Sequence, residues 1–414
     1  MNTIGKPHVL IAGGGVAAVE ALLALADAAG DRVAISVLAP GDELEIRALA
    51  VAAPFAQGHE ARRFPLAPLA ERLGARLIEG TLAQVVAEDQ RVITTQADRI
   101  DYDALIVAVG AMAVPAYENV MTFGREPLAV NGLLADIEEG YLERIAFVVP
   151  PGVAWPLPAY ELALMTRRQA TSMGMDPEIT VVTPEASPLA VFGRSASLKV
   201  AALLEAAGVA VRTGSHAAIG ADRRIVMAPS GDTLSPQRIV ALPLIAGPRI
   251  AGLPHDQDGF VPVDEYMRVL DAADVYCVGD AANYPLKQGG LATQQADVAA
   301  LHVAAKAGAP VTAKPFRPVL RGRLMTGGPE HFFVKEIGRP AGRTSETPLW
   351  WPPSKVSGRY LTPWLSEQDP GAVPPEPAAG ESEAIEARVP SDPAGARRAL
   401  LALSPLGDAP PLRR

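Results

Sequence analysis

The chain contains a single cysteine, Cys277. One thiol cannot form a disulfide within the chain, a Cys-x-x-Cys redox pair or a cysteine zinc site. Because Cys277 lies in the expected strand just before Gly279 and Asp280, at a place where a small apolar residue is common, we expect this side chain to pack in the interior rather than to react. Disulfide chemistry within one chain is therefore excluded.

Metal-ligand patterns, basic charge and long apolar runs are missing as well. The six histidines show no ligand spacing such as His-Glu-x-x-His, so we expect no metal site. A formal net charge of -9 provides no attraction to nucleic acid, and we expect none as a partner. Neither a run of about 18 uncharged apolar residues nor a signal peptide occurs, which predicts a cytoplasmic protein.

A glycine-rich turn stands close to the beginning of the chain. The apolar run 8–12 has the length of a buried strand, leads into three glycines and continues as an Ala- and Leu-rich helical pattern. In a dinucleotide-binding turn, Gly13 permits the tight bend and Gly15 lets a pyrophosphate approach the backbone. The helix start at Val16 and Ala17 then offers unpaired N–H groups to the phosphates. This stretch predicts a nucleotide site.

The next strand is expected at residues 32–38. Such a strand usually ends in an acidic residue that binds the adenosine ribose, but Ala39 occupies that place. Asp42 or Glu43 can take over only if the turn bends back. Arg47 follows in an apolar context, and two interpretations stay open: a surface side chain on an amphipathic segment, or a guanidinium close to the cofactor.

Two later strands are expected to end near the first glycine turn. Between residues 101 and 111 a buried strand ends at Ala108 and Gly110, where small residues let the chain turn beneath a cofactor. Residues 77–86 and 91–95, just before it, alternate in the manner of an antiparallel ribbon.

The second of these strands, in residues 275–282, ends in Gly279 and Asp280. A carboxylate so placed can accept a hydrogen bond from a sugar-like hydroxyl, and capping of the next turn is the alternative. A helix starts shortly afterwards at Gly289 and Gly290. Its dipole, with Lys287, would stabilise negative charge on a reduced ring, and a solvated lysine is the alternative.

A second α/β unit opens with a strand at residues 145–149. Its turn carries Gly152 and Trp155 among four prolines, which lack the backbone donors that a pyrophosphate needs. A helix starts at Tyr160, and Glu185 ends the next strand where a ribose-binding carboxylate would stand. NAD(P) binding in this half therefore stays open.

These blocks together resemble the FAD-containing pyridine nucleotide-disulfide oxidoreductase superfamily, and within it the branch of type II NADH dehydrogenases and sulfide:quinone oxidoreductases. The resemblance rests on the glycine turn, residues 102–110, residues 275–280 and the Gln294–Gln295–Ala296 helix, and it spans roughly residues 8–310. It implies an α/β fold with two Rossmann-like dinucleotide-binding domains. It also implies a small C-terminal α+β interface segment.

The resemblance also implies roles for single residues. Asp280 would bind the ribityl chain of FAD, the helix from Gly289 would face the pyrimidine end of the flavin, and Arg47 and Lys287 would lie near the cofactor. Disulfide reductases need a cysteine pair and sulfide oxidation needs at least two cysteines, so neither activity is expected here. Gly152, Trp155, Tyr160 and Glu185 would face the second substrate, with NAD(P)H as an open candidate.

The resemblance and the changes in composition suggest the domain organisation. We expect a discontinuous FAD-binding domain at 1–115 and 240–310, and a second Rossmann-like domain with a degenerate NAD(P) site at 140–239. An interface segment is expected at 311–365. A Pro-, Ala- and Glu-rich tail at 366–414 is expected to be mostly disordered.

Three of the four tryptophans lie between Trp350 and Trp364. This segment is either a quinone or peripheral membrane contact at the inner face, or it packs against the flavin domain or a second copy of the chain. Relatives use such a C-terminal part for dimer contacts, so a homodimer is open.

The sequence thus predicts an FAD-dependent oxidoreductase that passes a hydride or electron pair between a small-molecule donor and acceptor, with NAD(P)H or a quinone on one side. The alternative is a flavin-binding or degenerate scaffold protein without turnover.

Overall fold

The computed structural model describes residues 5–55, 63–125, 129–369 and 383–384. The α-helices in these residues are α1 (Val16–Ala29), α2 (Leu66–Arg72), α3 (Ala129–Glu138), α4 (Leu157–Ser172), α5 (Arg194–Ala206), α6 (Gly289–Lys306) and α7 (Leu361–Gln368). The strands of the first half of the chain are β1 (His8–Ala12), β2 (Ala34–Ala39), β3 (Glu43–Glu45), β4 (Arg63–Pro65), β5 (Arg76–Glu79), β6 (Leu82–Val86), β7 (Arg91–Thr94), β8 (Arg99–Asp101), β9 (Ala104–Val107), β10 (Met112–Val114), β11 (Met121–Thr122), β12 (Arg144–Val148) and β13 (Glu178–Val182). The later strands are β14 (Ala210–Arg212), β15 (His216–Ile219), β16 (Ile225–Ala228), β17 (Thr233–Leu234), β18 (Arg238–Ala241), β19 (Leu244–Ala246), β20 (Val275–Cys277), β21 (Val319–Leu324), β22 (His331–Glu336), β23 (Arg343–Ser345), β24 (Trp350–Trp351) and β25 (Glu383–Ala384).

The first parallel sheet has the strand order β20-β9-β1-β2-β5. Its central strand β1 is apolar on both faces because each face is covered: Val9 and Ile11 face the helices, whereas Leu10 packs on the opposite side. The Ala-rich helix α1 packs closely against α6, since small side chains let the two backbones approach. A strand from residues 275–277 thus completes a sheet that starts at residue 8.

The second parallel sheet has the order β11-β18-β12-β13-β14, and α4 packs on it. Its core includes Phe147 and Tyr160, both fully buried. An antiparallel pair of β10 and β19 lies in the connections between the two sheets. Two parallel sheets with covering helices confirm the predicted α/β class.

The C-terminal part adds an antiparallel sheet of β21, β22 and β23. Phe332 of β22 meets the Trp350 ring edge-on, with centroids 5.2 Å apart, and Trp350 is fully buried. Trp364 of α7 is buried as well and meets the Phe64 ring at 5.6 Å. These two tryptophans belong to the core of the chain, as the packing alternative predicts.

Two local expectations need correction. The run 77–86 is not one strand of a ribbon: β5 belongs to the parallel sheet, and the antiparallel ribbon is β6–β7–β8. The break falls at Gly80, where φ is +159° and the chain leaves the sheet. The predicted tail begins inside α7, which continues to Gln368 because Trp364 anchors it. The rest of the tail prediction, apart from β25, lies outside the described residues.

A search of the helices in the described part of the chain finds none that is long and apolar enough to cross a membrane.

Candidate cofactor site

The glycine turn after β1 has the geometry that the sequence predicts. Gly13 has a φ of +139°, and a Cβ at this position would overlap the carbonyl oxygen of Ala108. Its N–H donates to the carbonyl oxygen of Leu38 at 2.8 Å, which ties the turn between β1 and α1 to the end of β2. A larger residue therefore cannot occupy position 13 without moving the end of β9.

Open space lies over the start of α1. Gly15 is exposed, and nothing lies within 4 Å of the position of a Cβ there. The first helical hydrogen bond runs from Val19 N to Gly15 O at 3.0 Å, so the N–H groups of the first turn, including Val16 and Ala17, have no helical acceptor. This is an arrangement that binds phosphate groups.

The motif at residues 279–280 meets this turn. Gly279 is buried with a φ of +72°, and a Cβ there would lie 3.3 Å from the Ala17 Cβ. Its N–H donates to Oε1 of Gln295 in α6 at 2.8 Å. Asp280 follows directly and is partly buried, and the surface around Gly13, Gly15 and Asp280 is called the cofactor groove below. The structure thus brings together two motifs that the sequence separates.

The Asp280 carboxyl is in a largely dry position. Burial raises its pKa, while the charges of Lys287 and Arg47 oppose that rise. The Arg47 side chain is 84% exposed and its Nε lies 3.8 Å from Oε2 of Glu45, so its head is in solvent. Arg47 therefore acts on Asp280 through charge rather than through a direct bond.

Lys287 is buried beneath the same turn. Its Nζ donates to Ala282 O at 2.5 Å and lies 3.8 Å from the centre of the Phe260 ring. Burial lowers its pKa to about 8, opposed by the nearby Asp280 charge. In this position the ammonium supports the turn at 279–282 and the Asp280 carboxylate. Its effect on a flavin stays a prediction.

The end of β9 lies below the glycine turn. The N–H of Ala108 donates to Ala12 O at 2.7 Å, and Ala108 is buried below the glycine turn. Gly110 follows with a φ of +74°. The β9 segment therefore turns directly beneath Gly13, as its small residues predict.

The N-terminus of α6 is covered by residues that the sequence did not connect with it. The Gln288 side chain caps the helix by accepting from Leu291 N at 2.9 Å. A Cβ on Gly290 would lie 3.0 Å from Oγ of Ser357, and Thr293 Oγ1 donates to Ser357 O at 2.9 Å. The segment after Lys355 thus crosses the first turn of α6.

The turn after β12 lacks the run of glycines that follows β1. Gly152 is exposed with a φ of +80°, but prolines precede it, and Pro156 caps α4 without a side-chain hydrogen bond. Trp155 lies beside this turn and meets the Phe192 ring at 5.8 Å. The four prolines carry no N–H, so the turn offers few backbone donors to an anion.

The carboxylate expected to face a ribose is bonded within the protein. The Tyr160 hydroxyl donates to Oε2 of Glu185 at 2.6 Å, and Ala190 N donates to Oε1 at 3.1 Å. Burial raises the pKa of Glu185, opposed by these hydrogen bonds. Both oxygens of Glu185 therefore already accept protein donors.

A buried ion pair joins the second sheet to the C-terminal part. Lys355 donates to Oε1 of Glu161 in α4, and the two side chains are 7% and 0% exposed. Met325 N also donates to Oε1 at 2.8 Å, while Oε2 has no hydrogen-bond partner in the part of the chain that the structure describes. Burial raises the pKa of Glu161 and lowers that of Lys355, each opposed by the other's charge. Sequence reasoning missed this pair because its members are 194 positions apart.

Comparison with known proteins agrees with this architecture. The model of the pyridine nucleotide-disulphide oxidoreductase family matches residues 7–308. No curated protein matches the chain.

Several solved structures share the fold at low identity. The sulfide:quinone oxidoreductase of the hyperthermophilic bacterium Aquifex aeolicus is similar with a TM-score of 0.72 and 19% identity, over 82% of this chain and 86% of that one. The ferredoxin reductase for the CYP199A2 system of Rhodopseudomonas palustris is similar with a TM-score of 0.61 and 19% identity, over 80% and 83%. The NAD-dependent persulfide reductase of A. fulgidus has a TM-score of 0.57 and 20% identity, over 79% and 64%.

The residues of the cofactor groove suit FAD. The open N-terminus of α1 suits its pyrophosphate, and Asp280 supplies a carboxylate to which a polyol hydroxyl can donate. With the family model covering most of both parallel sheets, the chain belongs to the pyridine nucleotide-disulphide oxidoreductase family.

Proposed function

We propose that this chain is an FAD-dependent oxidoreductase whose flavin exchanges an electron pair with a quinone, and that NAD(P)H is not its electron donor. The donor is then another small molecule. The observation that carries this proposal is the second turn, where the prolines and the bonded Glu185 stand in place of a nicotinamide dinucleotide site.

At the turn after β12, a nicotinamide dinucleotide would lose contacts to its pyrophosphate and to its ribose. Its pyrophosphate would meet a turn in which four residues carry no N–H, and its ribose would meet a carboxylate that already accepts from Tyr160 and Ala190. Breaking such internal bonds costs free energy that the incoming hydroxyls only partly return. These contacts favour a substrate that needs neither group.

The buried pair of Glu161 and Lys355 supports a quinone. Reduction of a quinone consumes two protons for each electron pair, and Glu161 and Lys355 are ionisable groups in a dry part of the chain. Glu161 has one oxygen without a partner in the described residues, and Lys355 leads directly into the segment that crosses α6. The fold likeness to a sulfide:quinone oxidoreductase supports the same substrate class.

Cysteine chemistry is not part of the proposal. Cys277 lies inside β20 with no exposed surface, and burial raises its pKa to about 12. A thiol that stays protonated does not attack a disulfide, and a single cysteine forms no disulfide within the chain for sulfide to attack. We therefore propose that the chain is neither a disulfide reductase nor a sulfide oxidase.

When bound, FAD supplies the two-electron chemistry, and the chain's residues bind and orient it. The turn at Gly13 and the α1 N-terminus would hold the phosphates. Asp280, whose carboxylate lies near the Lys287 ammonium, would accept a hydrogen bond from the polyol chain. The division into a discontinuous FAD domain and a second Rossmann-like domain is part of this proposal.

Anaerobic reduction of the purified full-length protein tests the proposal. We expect a yellow protein whose flavin is bleached by dithionite but not by NADH or NADPH, and whose reduced flavin, freed of excess dithionite, is reoxidised by a quinone such as duroquinone. Dithionite is the control, because it shows that the flavin can be reduced at all. Rapid bleaching by either nicotinamide would overturn the choice of substrate, and a colourless protein that takes up no FAD would favour a scaffold protein without turnover.

A further inference from the structure

A groove of about 790 Å³ lies beside the second parallel sheet. It is lined by residues 115–122, Arg125, Arg223, Arg238 and Ile239, and it is called the arginine groove below. Its volume falls in the range of about 300–1,000 Å³ that is typical of small-molecule sites. None of its lining residues belongs to the cofactor groove or to the proposed flavin chemistry, so the inference drawn from it does not depend on which substrate the flavin meets.

The arginine groove lies at the opposite edge of the second sheet from the turn after β12. Arg238 begins β18 and pairs with Ile145 near the start of β12, whereas Ala241 pairs with Val148 at its carboxyl end. Arg238 therefore lies at the amino edge of the sheet, and the turn with Gly152 follows the carboxyl edge. Because dinucleotides bind outside the carboxyl ends of parallel strands, the arginine groove is not a displaced NAD(P) site.

Arg223 is held on a tightly bonded turn between β15 and β16. Its backbone N–H donates to Gly220 O at 3.0 Å, and Gly220 N donates to Arg224 O at 3.1 Å, so hydrogen bonds close the turn from both ends. The Asp222 carboxylate accepts from Arg224 N at 3.1 Å and lies 3.8 Å from Arg224 Nε. Asp222 is thereby directed to Arg224. Within the described residues, the Arg223 guanidinium forms no hydrogen bond or ion pair, which leaves it available to an external anion.

The other two arginines of the groove differ in their pairing. Arg125 follows β11, and its exposed side chain has no hydrogen-bond or ion-pair partner in the part of the chain that the structure describes. Arg238 instead donates to Oδ2 of Asp136 in α3, and both of these side chains are 34% exposed. Among the lining residues, the exposed Glu118 is the carboxylate. Three guanidinium groups are thus set against two carboxylates, so positive charge remains here although the whole chain has a formal net charge of -9.

We infer that the arginine groove binds a small organic molecule that carries at least two phosphate or carboxylate groups. A planar guanidinium donates two parallel N–H bonds to either kind of group, and Arg125 and Arg223 have no acceptor of their own in the described residues. The volume leaves room for more than a single ion. Tyr117 and Ile239, which pack in one apolar cluster, line the same groove and suit a carbon skeleton.

Such a ligand would bridge segments that are far apart along the chain. Residues 115–120 connect β10 to β11, Arg223 lies between β15 and β16, and Arg238 begins β18. The ligand would therefore join one connection between the two parallel sheets to the second sheet. Its binding would stabilise the folded chain, because the unfolded chain does not hold these arginines together.

Isothermal titration calorimetry of the FAD-loaded full-length protein tests this inference, with pyrophosphate and citrate as probes. Pyrophosphate carries two phosphate groups and citrate carries three carboxylates, so their relative affinities show which of the two classes the groove prefers. We expect at least one probe to bind at a single site per chain with a Kd below about 1 mM. Added salt should weaken this binding, and acetate, with one carboxylate, should bind far more weakly.

Arg223→Gln is the decisive variant, and Arg224→Gln is its matched control, because Arg224 is the neighbouring arginine but pairs with Asp222 outside the groove. We expect Arg223→Gln and Arg125→Gln each to weaken binding of the probe about tenfold, and Arg224→Gln to keep the wild-type affinity. All three side chains are exposed, so an unchanged flavin spectrum and melting temperature without probe should show that each variant is folded. Binding of neither probe, or equal weakening by Arg223→Gln and Arg224→Gln, would overturn the inference.

Discussion

At the scale of single residues, the shape of the cofactor groove depends on positions where neighbouring atoms leave little room for a side chain. Gly13 and Gly279 stand at two such positions, one against the Ala108 carbonyl and one against Ala17. Neither contact involves a charged group or a ligand. The two glycines therefore shape the groove before any cofactor binds.

Replacing Gly13 by alanine tests this directly. The new Cβ overlaps the Ala108 carbonyl oxygen and the φ of +139° is strained for alanine, so we expect a loss of about 2–3 kcal/mol in unfolding free energy and a large loss of bound FAD. Urea unfolding and the flavin-to-protein absorbance ratio measure these effects. Gly41→Ala is the control, since nothing lies within 4 Å of its Cβ position and its φ is not positive. Full FAD content in Gly13→Ala would contradict the assignment of the turn.

Lys287 gives a pH-dependent test at the same scale. Its pKa is about 8 in the folded chain and 10.5 as the ordinary value, so the unfolded chain binds more protons between these values. Wild-type stability should therefore rise from pH 8 toward pH 10.5 relative to Lys287→Met, which has no charge to bury. Unfolding free energies of both proteins at pH 7 and pH 9.5 measure the difference. A constant difference would show that the ammonium is not buried.

At the scale of elements, the segment from Trp350 to Trp364 is the one whose packing the sequence leaves most open. An aromatic cluster is typical of membrane contacts, partner contacts and cores alike, so its composition cannot distinguish them. In the fold, Trp350 packs on Phe332 and Trp364 on Phe64. Trp351 is the only one of these three tryptophans that stays partly exposed.

Trp350→Ala and Trp351→Ala separate these roles. We expect Trp350→Ala to lose about 3–5 kcal/mol, as for a large side chain removed from a core, and Trp351→Ala to lose much less. Co-sedimentation with anionic lipid vesicles measures membrane contact in parallel. Vesicle binding that Trp351→Ala abolishes without loss of stability would revive the membrane interpretation.

The pair of Glu161 and Lys355 connects α4 to the start of the segment that crosses the first turn of α6. Lys355→Met leaves a buried carboxylate without its counter-charge, and we expect a loss of about 3–5 kcal/mol in unfolding free energy. The double variant Glu161→Gln with Lys355→Met should recover part of that loss, because no buried charge remains. A double-mutant cycle measures the coupling. Additive effects of the two single variants would mean that the pair is not formed.

Whether the sequence predicts a feature of this site depends on how far apart along the chain the residues that form it lie. The glycine turn and the strand that ends at Asp280 are local patterns, and their meeting follows from the rule that parallel strands end at one edge of a sheet. The contacts of Glu185 with Tyr160 and of Glu20 with Tyr360 could not be predicted. These side chains look like ordinary surface carboxylates until tertiary packing buries them.

At the scale of the whole molecule, the two parallel sheets have the same architecture but differ in their turns. The first turn leaves the α1 N-terminus open, whereas the second carries prolines and a bonded carboxylate. A flavin that is reduced and reoxidised needs two redox partners. We propose that one of them is a quinone, which needs space and protons but no dinucleotide site.

The reoxidation of the reduced flavin tests this central claim most directly. The full-length protein is photoreduced without oxygen and mixed in a stopped-flow instrument with a short-chain ubiquinone analogue, or with NAD⁺ or NADP⁺ as controls. The account predicts that the quinone restores the oxidised flavin spectrum rapidly and that neither nicotinamide does so. Rapid reoxidation by NAD⁺ or NADP⁺, with none by the quinone, would contradict it.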